Sequence, residues 1–311
     1  MIKAGIIGST GYAGGELVRI LTGHKDVEIK WFGSRSYIDK KYADVYRNMF
    51  QIVDAVCLDD NMEQLADQVD VIFTATPQGL CASLVNEEIL SKVKIIDLSA
   101  DFRIKDVKTY EKWYGIEHKS PQFIEEAVYG LCEVNREDIK GARLIANPGC
   151  YATATELALI PLVASGLIET DSVIVDAKSG LTGAGKALSE SSHLVNVHDN
   201  YVTYKLNHHQ HIPEIVQTLR NFNPEMPEIQ FSTSLLPVNR GIMATVYCKL
   251  KKDVTVADVA SAFTKAYSDK PFVRVQDSLP ELHNVIGSNF TDIGFAYNEK
   301  TNVLTVISVI D

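Results

Sequence analysis

The chain has 311 residues, a formal net charge of −10 and 46% hydrophobic residues. This length predicts two domains, because a domain usually has about 100–200 residues. The acidic balance and the lack of a basic patch argue against a nucleic-acid-binding protein. No apolar stretch is long enough to predict a membrane-spanning helix. We expect no secretory signal, because the first residues have the pattern of a buried strand.

Five cysteines are scattered along the chain, and no two of them form a C-x-x-C pair. This pattern argues against a disulfide framework and against a zinc ribbon, and it favours a reducing, cytoplasmic location. Free cysteine is commonly a small buried side chain. We expect that structural role for four of the five, which lie in apolar runs or beside ordinary loop residues: Cys57, Cys81, Cys132 and Cys248.

The first motif joins a strand, a glycine-rich turn and a helix. A short apolar strand is predicted for residues 3–7 and a helix for residues 16–21. A phosphate-binding loop needs this context, because glycines let the backbone approach a pyrophosphate and the helix N-terminus attracts negative charge. The spacing G-x-x-G-x-x-G is a weak signal by itself. Its setting nevertheless predicts a dinucleotide site formed by Gly8, Ser9, Thr10, Gly11, Tyr12, Ala13 and Gly14.

A second strand, predicted for residues 27–32, ends in Gly33-Ser34-Arg35-Ser36. A site for NAD(H) has an acid at this place, which binds a ribose hydroxyl. The sequence here offers no acid, and it offers two hydroxyls and a guanidinium, which suit a phosphate dianion. We therefore expect NADP(H) as the cofactor, bound through Ser34, Arg35 and Ser36. The alternative is that Arg35 is an ordinary surface arginine.

Two further strands, predicted for residues 69–75 and 93–98, alternate with helical patterns. Such alternation predicts a parallel, doubly wound sheet, in which ligands bind beyond the carboxyl ends of the strands. Thr76 and Pro77 follow the first of these strands, and we expect them to contact the cofactor. Arg103 follows the second and is a candidate anchor for an anion; its alternative role is a salt bridge to a neighbouring aspartate.

The most specific segment of the chain is Asn147-Pro148-Gly149-Cys150-Tyr151-Ala152-Thr153. A strand pattern at 142–146 precedes it, and a helical pattern at 154–164 follows it. Cys150 is therefore predicted to lie at a strand-to-helix turn, where unpaired backbone N–H groups and the helix dipole stabilise a thiolate. We expect Cys150 to be a nucleophile rather than a buried structural cysteine.

The second half of the chain has a different pattern. Segments 172–177 and 241–249 alternate like strands of an antiparallel sheet with one covered face. We therefore predict a dinucleotide-binding domain at residues 1–149 and an α+β catalytic domain, with a mainly antiparallel sheet, at residues 150–311. A glycine-rich loop, residues 179–185, lies in the second domain and is expected on the substrate side.

Three of the eight histidines fall in His208-His209-Gln210-His211, and Glu214 follows closely. A zinc site is the weaker interpretation, because no other cysteine or carboxylate stands at ligand spacing. A histidine near a cysteine nucleophile would act as a general acid or base, because imidazole titrates close to neutral pH. The sequence alone does not place any of these histidines beside Cys150.

Taken together, these segments resemble the N-acetyl-γ-glutamyl-phosphate reductase family, which belongs to the wider group that includes aspartate-semialdehyde dehydrogenase. The specific parts are the cysteine segment and His209-Gln210-His211-Ile212-Pro213-Glu214. The remaining matches extend over essentially the whole chain and lie at residues 8–14, 98–103, 129–131 and 179–185. The resemblance implies a Rossmann-type sheet followed by an α+β catalytic domain.

The resemblance also implies an activity, the NADPH-dependent reduction of N-acetyl-γ-glutamyl phosphate to N-acetylglutamate 5-semialdehyde and phosphate in arginine biosynthesis. By matching position, Cys150 is the nucleophile that forms a thioester, and His209 is the acid/base residue. Substrate contacts are expected from Arg103, Asn147, Ser179, Gly180, His211 and Glu214. The expected partners are the acyl phosphate, inorganic phosphate and further copies of the chain in a dimer or tetramer.

Two positions depart from the family pattern. Cys132 stands where relatives usually have proline, and the chain ends at Asp311 where relatives continue, which predicts weaker cofactor binding than in a longer form. One alternative function is the same reaction on N-acetyl-α-aminoadipyl phosphate, since one methylene is worth only about 1–3 kcal/mol of discrimination. Another is a non-catalytic dinucleotide-binding regulator, against which the presence of both Cys150 and His209 argues.

Overall fold

A computed structural model describes residues 1–311, apart from the side chain of Ser191. The chain forms two compact units, Met1–Pro148 and Gly149–Asp311. None of the described helices is both long enough and apolar enough to cross a membrane.

The first unit contains a six-stranded sheet with the order β2-β1-β3-β4-β6-β5. Every pairing between its strands is parallel. The chain adds strands on both sides of β1, so the predicted doubly wound parallel sheet is confirmed. Its strands are β1 (Ile2–Ile7), β2 (Val27–Gly33), β3 (Val71–Thr74), β4 (Lys94–Asp97), β5 (Val128–Tyr129) and β6 (Leu144–Ala146).

Helices connect these strands and cover both faces of the sheet. Ile6 packs into one apolar cluster with Val18 and Phe32, whereas Ile7 packs into another with Ile72. Neighbouring strand residues point to opposite faces, so a strand buried on both faces appears as a continuous apolar run. The helices are α1 (Tyr12–Thr22), α2 (Tyr42–Val45), α3 (Met62–Ala66), α4 (Leu80–Leu84), α5 (Glu87–Lys92), α6 (Val107–Tyr114) and α7 (Cys132–Gly141).

The second unit contains a seven-stranded sheet with the order β11-β12-β13-β10-β7-β9-β8. The pairings of β7 with β9 and of β11 with β12 are parallel, and the other four are antiparallel. The predicted mainly antiparallel sheet is thus confirmed. Its strands are β7 (Ile168–Ser179), β8 (Val202–Tyr204), β9 (Gln230–Leu235), β10 (Ile242–Leu250), β11 (Val273–Val275), β12 (Thr291–Asn298) and β13 (Val303–Ile310).

Helix α8 (Cys150–Ala164) is the central helix of the second unit, and nearly all its residues after Cys150 are buried. It packs on β10 and β13 and against α10 (His211–Arg220). A helix that is apolar all round is buried all round, which is why this helix shows no polar stripe. The unit also contains α9 (Leu194–Val197) and α11 (Val256–Tyr267).

The expected burial of the four structural cysteines is confirmed for Cys57, Cys81 and Cys248, and it is wrong for Cys132. Cys132 is the first residue of α7, and no residue of this polar helix is buried. Because α7 lies at the surface, its first side chain is exposed to solvent.

Candidate active site

The turn before α8 presents Cys150 to solvent. Gly149 caps the helix in an extended conformation, and Cys150 is the first helical residue, with an exposed side chain. The first N–H groups of a helix have no partner within it, so they favour negative charge at this position. The helix was predicted from residue 154, and it begins at Cys150 itself, which places the sulfur within the first turn.

Two residues of α10 hold Gly149 in place. The backbone N–H of Gly149 donates a 2.7 Å hydrogen bond to Oε1 of Glu214, whose side chain is fully buried. A Cβ atom at position 149 would lie only 2.4 Å from Nε2 of His211. His211 and Glu214 lie one turn apart on α10, so this single helix fixes the turn that carries Cys150.

His209 is buried beneath this helix start. Its Nδ1 accepts a 3.1 Å hydrogen bond from the backbone N–H of His211, and its ring lies 5.1 Å from that of Tyr151. Burial, together with the neighbouring charge of His211, lowers the pKa of His209 to about 3. His209 is therefore neutral at physiological pH, with its remaining ring proton on Nε2.

Two tyrosines complete the wall beside the cysteine. The hydroxyls of Tyr151 and Tyr204 share a 2.9 Å hydrogen bond. Burial raises the pKa of both, and the charge of Cys150 contributes to the rise. Tyr204 escaped prediction from the sequence, because a lone tyrosine in a short strand carries no signal of a site.

The loop 179–185 continues from the end of β7. Ser179 is buried, its hydroxyl donates a 2.8 Å hydrogen bond to the carbonyl of Gly180, and its side chain opposes the rise of the Tyr151 pKa. A Cβ atom at Gly180 would lie 2.6 Å from the backbone nitrogen of Arg240, so only glycine allows this close packing. The second unit thus brings together Cys150, the two histidines, Glu214 and Ser179. Among the described residues, no group of three or more metal-binding side chains could hold an ion.

In the first unit, the glycine turn between β1 and α1 has the backbone that a phosphate loop requires. Gly8 has a φ of +78°, which favours glycine. A Cβ atom at Gly14 would lie 2.2 Å from the carbonyl oxygen of Gly8. The hydroxyls of Thr10 and Ser34 share a 2.7 Å hydrogen bond, which joins the turn to the end of β2.

Two further tyrosines support the glycine turn from below. The hydroxyl of Tyr42 donates to the carbonyl of Ser9 at 3.1 Å, and that of Tyr46 donates to the carbonyl of Gly11 at 2.8 Å. These bonds occupy carbonyl groups and leave the N–H groups at the start of α1 to a ligand. Neither tyrosine was predicted, because α2 is too short to show a periodic pattern.

The end of β2 differs from the prediction in one respect. Arg35 and Ser36 are exposed and Ser34 is buried, but Asp60 also lies there, and its Oδ2 is 2.9 Å from Nε of Arg35. The inference that no acid is present at this strand end is therefore wrong. Residues near 58 pair with the end of β2, and the sequence gives no sign of this long-range contact.

The loops after β3 and β4 are also held by buried polar groups. Asp101 accepts hydrogen bonds from the backbone N–H of Gly79 at 2.6 Å and from the hydroxyl of Tyr110 at 2.8 Å, which fixes the loop that contains Thr76 and Pro77. Arg103 is buried and donates from Nε to the carbonyl of Asn147 and from Nη2 to that of Leu98. Arg103 therefore ties the end of β4 to the segment that precedes Gly149.

Comparisons with known proteins agree with this arrangement. Residues 3–142 match the family model of the semialdehyde dehydrogenase NAD binding domain, and residues 150–311 match that of the semialdehyde dehydrogenase dimerisation domain. The chain belongs to the semialdehyde dehydrogenase family. As a member it is an oxidoreductase with a dinucleotide-binding domain, as the motifs predicted.

Named relatives of this semialdehyde dehydrogenase are similar over its whole length. An N-acetyl-γ-glutamyl-phosphate reductase of Streptococcus thermophilus is 64% identical over 310 residues, which are 100% of this chain and 90% of the relative. One of Lachnospira eligens is 57% identical over 315 residues, with the same coverage. The family resemblance inferred from the motifs is confirmed.

Solved structures show the same fold at low identity. An aspartate semialdehyde dehydrogenase of Vibrio cholerae has a TM-score of 0.72 at 14% identity, covering 100% of this chain and 93% of that one. The Candida albicans enzyme, solved with NADP, has a TM-score of 0.69 at 16% identity and the same coverage.

Because His209 is neutral in the folded protein, we expect the free energy of unfolding to decrease as the pH falls. An unfolded histidine titrates at 6.5, whereas the pKa of His209 in the folded dehydrogenase is about 3. Its contribution is fully present above pH 6.5 and is lost as the pH falls toward 3, by about 1.4 kcal/mol per pH unit for one proton. The free energy of unfolding, measured in urea between pH 7 and pH 4.5, should change less steeply with pH in His209→Asn, by the equivalent of about one proton. The exposed neighbour variant His208→Asn is the control, and equal slopes in all three proteins would contradict the prediction.

Gly149→Ala should disturb the cysteine turn without altering the chemistry of any side chain there. The added methyl group collides with the His211 ring, and a displacement of about 1 Å at a reacting group can cost roughly 100-fold in rate. We expect kcat for dehydrogenase activity to fall by about that factor. Gly141→Ala is the matched control, because a Cβ there meets nothing within 4 Å. Equal rates for the two variants would show that His211 moves aside freely.

Proposed function

We propose that this chain reduces N-acetyl-γ-glutamyl phosphate to N-acetylglutamate 5-semialdehyde and phosphate with NADPH, through a thioester on Cys150, in arginine biosynthesis. The observation that carries the proposal is an exposed cysteine at a helix N-terminus, held by His211 and Glu214. Two relatives that are named as reductases of this acyl phosphate are 57% and 64% identical to the chain over its full length.

The covalent step uses Cys150. Its thiolate attacks the γ-acyl carbon, a carbon–sulfur bond forms, and the carbon–oxygen bond to phosphate breaks with loss of inorganic phosphate. This capture divides one difficult reduction into two easier steps. The N–H groups in the first turn of α8 stabilise the negative charge on the tetrahedral oxygen.

The glycine turn fits a dinucleotide. Its backbone would be blocked by any side chain at Gly14, and α1 begins directly behind it. We infer that residues 8–14 hold the pyrophosphate, that Thr76 and Pro77 adjoin the nicotinamide side, and that Ser34, Arg35 and Ser36 bind a 2′-phosphate. When it is bound, NADPH supplies the hydride that reduces the thioester to a thiohemiacetal. The carbon–sulfur bond of the thiohemiacetal then breaks, which releases the semialdehyde and returns the Cys150 thiolate.

Of the two histidines, His211 is the better candidate for the proton donor. The matching position in the family assigned the role to His209, but His209 is buried and its pKa is about 3, so it does not hold a second proton at neutral pH. The His211 ring lies against Gly149, directly before Cys150. We assign His211 to protonate the developing alkoxide and His209 to position His211 through the hydrogen bond at Nδ1.

The remaining substrate contacts follow from the same geometry. Ser179 and Gly180 adjoin Tyr151 at the wall of the cysteine site, and they are proposed to hold the substrate's carboxylate or phosphate. Arg103 and Asn147 are proposed as substrate contacts from the family resemblance, and the hydrogen bond between them supports the segment that precedes Gly149.

We also propose that the protein works as a homo-oligomer. The matched family model of the second unit is a dimerisation domain. Three apolar side chains of the same segment, Leu188, Leu194 and Val195, are largely exposed, which is typical of a surface that another chain covers. The free thiols of the protein favour a cytoplasmic location.

The function is tested by phosphate-dependent reduction of NADP⁺ with N-acetylglutamate 5-semialdehyde. The aminoadipate homologue, one methylene longer, should be used about 10–200-fold less efficiently. Cys150→Ser should lower kcat by at least about 100-fold and leave NADPH binding intact, because serine stays protonated. Preference for the longer substrate, or a serine variant with near-normal turnover, would overturn the proposal.

The histidine assignment is tested by kcat and its pH profile. His211→Asn should lower kcat by about 10²–10⁴-fold and remove the limb of the pH profile that belongs to the proton donor. His209→Asn should lower kcat less and keep that limb, because its role is to position His211. The reverse order of the two variants would return the acid/base role to His209.

A further inference from the structure

Asp60 reaches the cofactor side of the first unit through a short segment that pairs with β2. The backbone N–H of Leu58 donates to the carbonyl of Phe32 at 2.9 Å, and the N–H of Ser34 donates to the carbonyl of Leu58 at 2.8 Å. These bonds extend the strand pairing to the end of β2 and deliver Asp60 beside Gly33.

The carboxylate of Asp60 is buried, and only one of its two oxygens has a partner. Its side chain is 7% exposed, and Oδ2 pairs with Nε of Arg35, whose own side chain is 61% exposed. Oδ1 is buried without a hydrogen-bond partner, and a Cβ at Gly33 would lie 3.0 Å from it. Burial raises the pKa of Asp60, and the adjacent Arg35 opposes that rise.

The position of this carboxylate indicates a role in cofactor recognition. In doubly wound dinucleotide domains, an acid at the end of the second strand binds the ribose 2′-hydroxyl, whereas an arginine accommodates a 2′-phosphate. Here both are present and paired. Arg35 lies on the solvent side of Asp60, so it both offers a guanidinium to a phosphate and neutralises a carboxylate that would repel one.

We propose that Arg35 and Asp60 form a cofactor-selecting pair, in which Arg35 binds the 2′-phosphate and masks a latent site for a 2′-hydroxyl on Asp60. The inference rests on the proposed dinucleotide site. It adds that the preference for NADPH depends on the masking of Asp60 as well as on the positive charge of Arg35. Loss of Arg35 therefore exposes an acid that repels NADPH and accepts NADH.

The test measures the Kd of NADPH and NADH by fluorescence titration of the full chain without substrate. Arg35→Ala should weaken NADPH by about 10–100-fold, the value of one charge-assisted phosphate contact. The same variant should bind NADH more tightly than the unchanged protein does. In Arg35→Ala/Asp60→Asn, NADPH affinity should partly recover and the gain for NADH should disappear.

Arg19→Ala is the matched control, because Arg19 pairs with Glu16 on the exposed face of α1. It should leave both Kd values unchanged, and thermal melting confirms that each variant is folded; Asp60→Asn keeps the size of the side chain. Equal loss of both cofactors in Arg35→Ala, or a double variant identical to Arg35→Ala, would overturn the masking. Failure of the unchanged protein to bind either cofactor would instead refute the dinucleotide site itself.

Discussion

The hydrogen bond from the Gly149 amide to Glu214 is the contact on which the cysteine site depends. It joins two segments 65 residues apart, the turn before α8 and the first turn of α10. A buried carboxylate is tolerated because it is hydrogen-bonded, and a ring can lie against the turn because residue 149 has no side chain. The same contact therefore helps to hold the His211 ring against the turn that carries Cys150.

In the first unit, neutral groups hold the glycine turn in place. A phosphate loop must leave the N–H groups at the helix start unpaired for a ligand, so other groups must hold it. The N–H of Ser9 bonds the carbonyl of Gly33 and is one of these groups. Here hydroxyls hold the loop through its carbonyl oxygens, from Tyr42 and Tyr46, and through the Thr10 side chain, which bonds Ser34. The loop is thereby ordered in advance, and less conformational entropy is lost when a dinucleotide binds.

The sequence predicted what local pattern controls. The parallel sheet, the glycine turn and the cysteine at a helix start all follow from periodicity and turn residues, and the structure has them in place. Asp60 and Tyr204 escaped because long-range pairing brings them to their sites. Cys132 was misjudged because α7 lies at the surface and buries none of its residues. Which of His209 and His211 lies against the turn before Cys150 depends on how α10 packs, and residue spacing does not predict that packing.

The distribution of thiols has a consequence for chemical damage. Cys57, Cys81 and Cys248 are buried, and burial raises the pKa of each, so these sulfur atoms are protected from oxidants and alkylating agents. Of the two exposed sulfurs, that of Cys132 also has a raised pKa, chiefly through desolvation. Electrophilic stress on a cell would therefore concentrate on Cys150, so that modification would reach the start of α8 long before it reached the core.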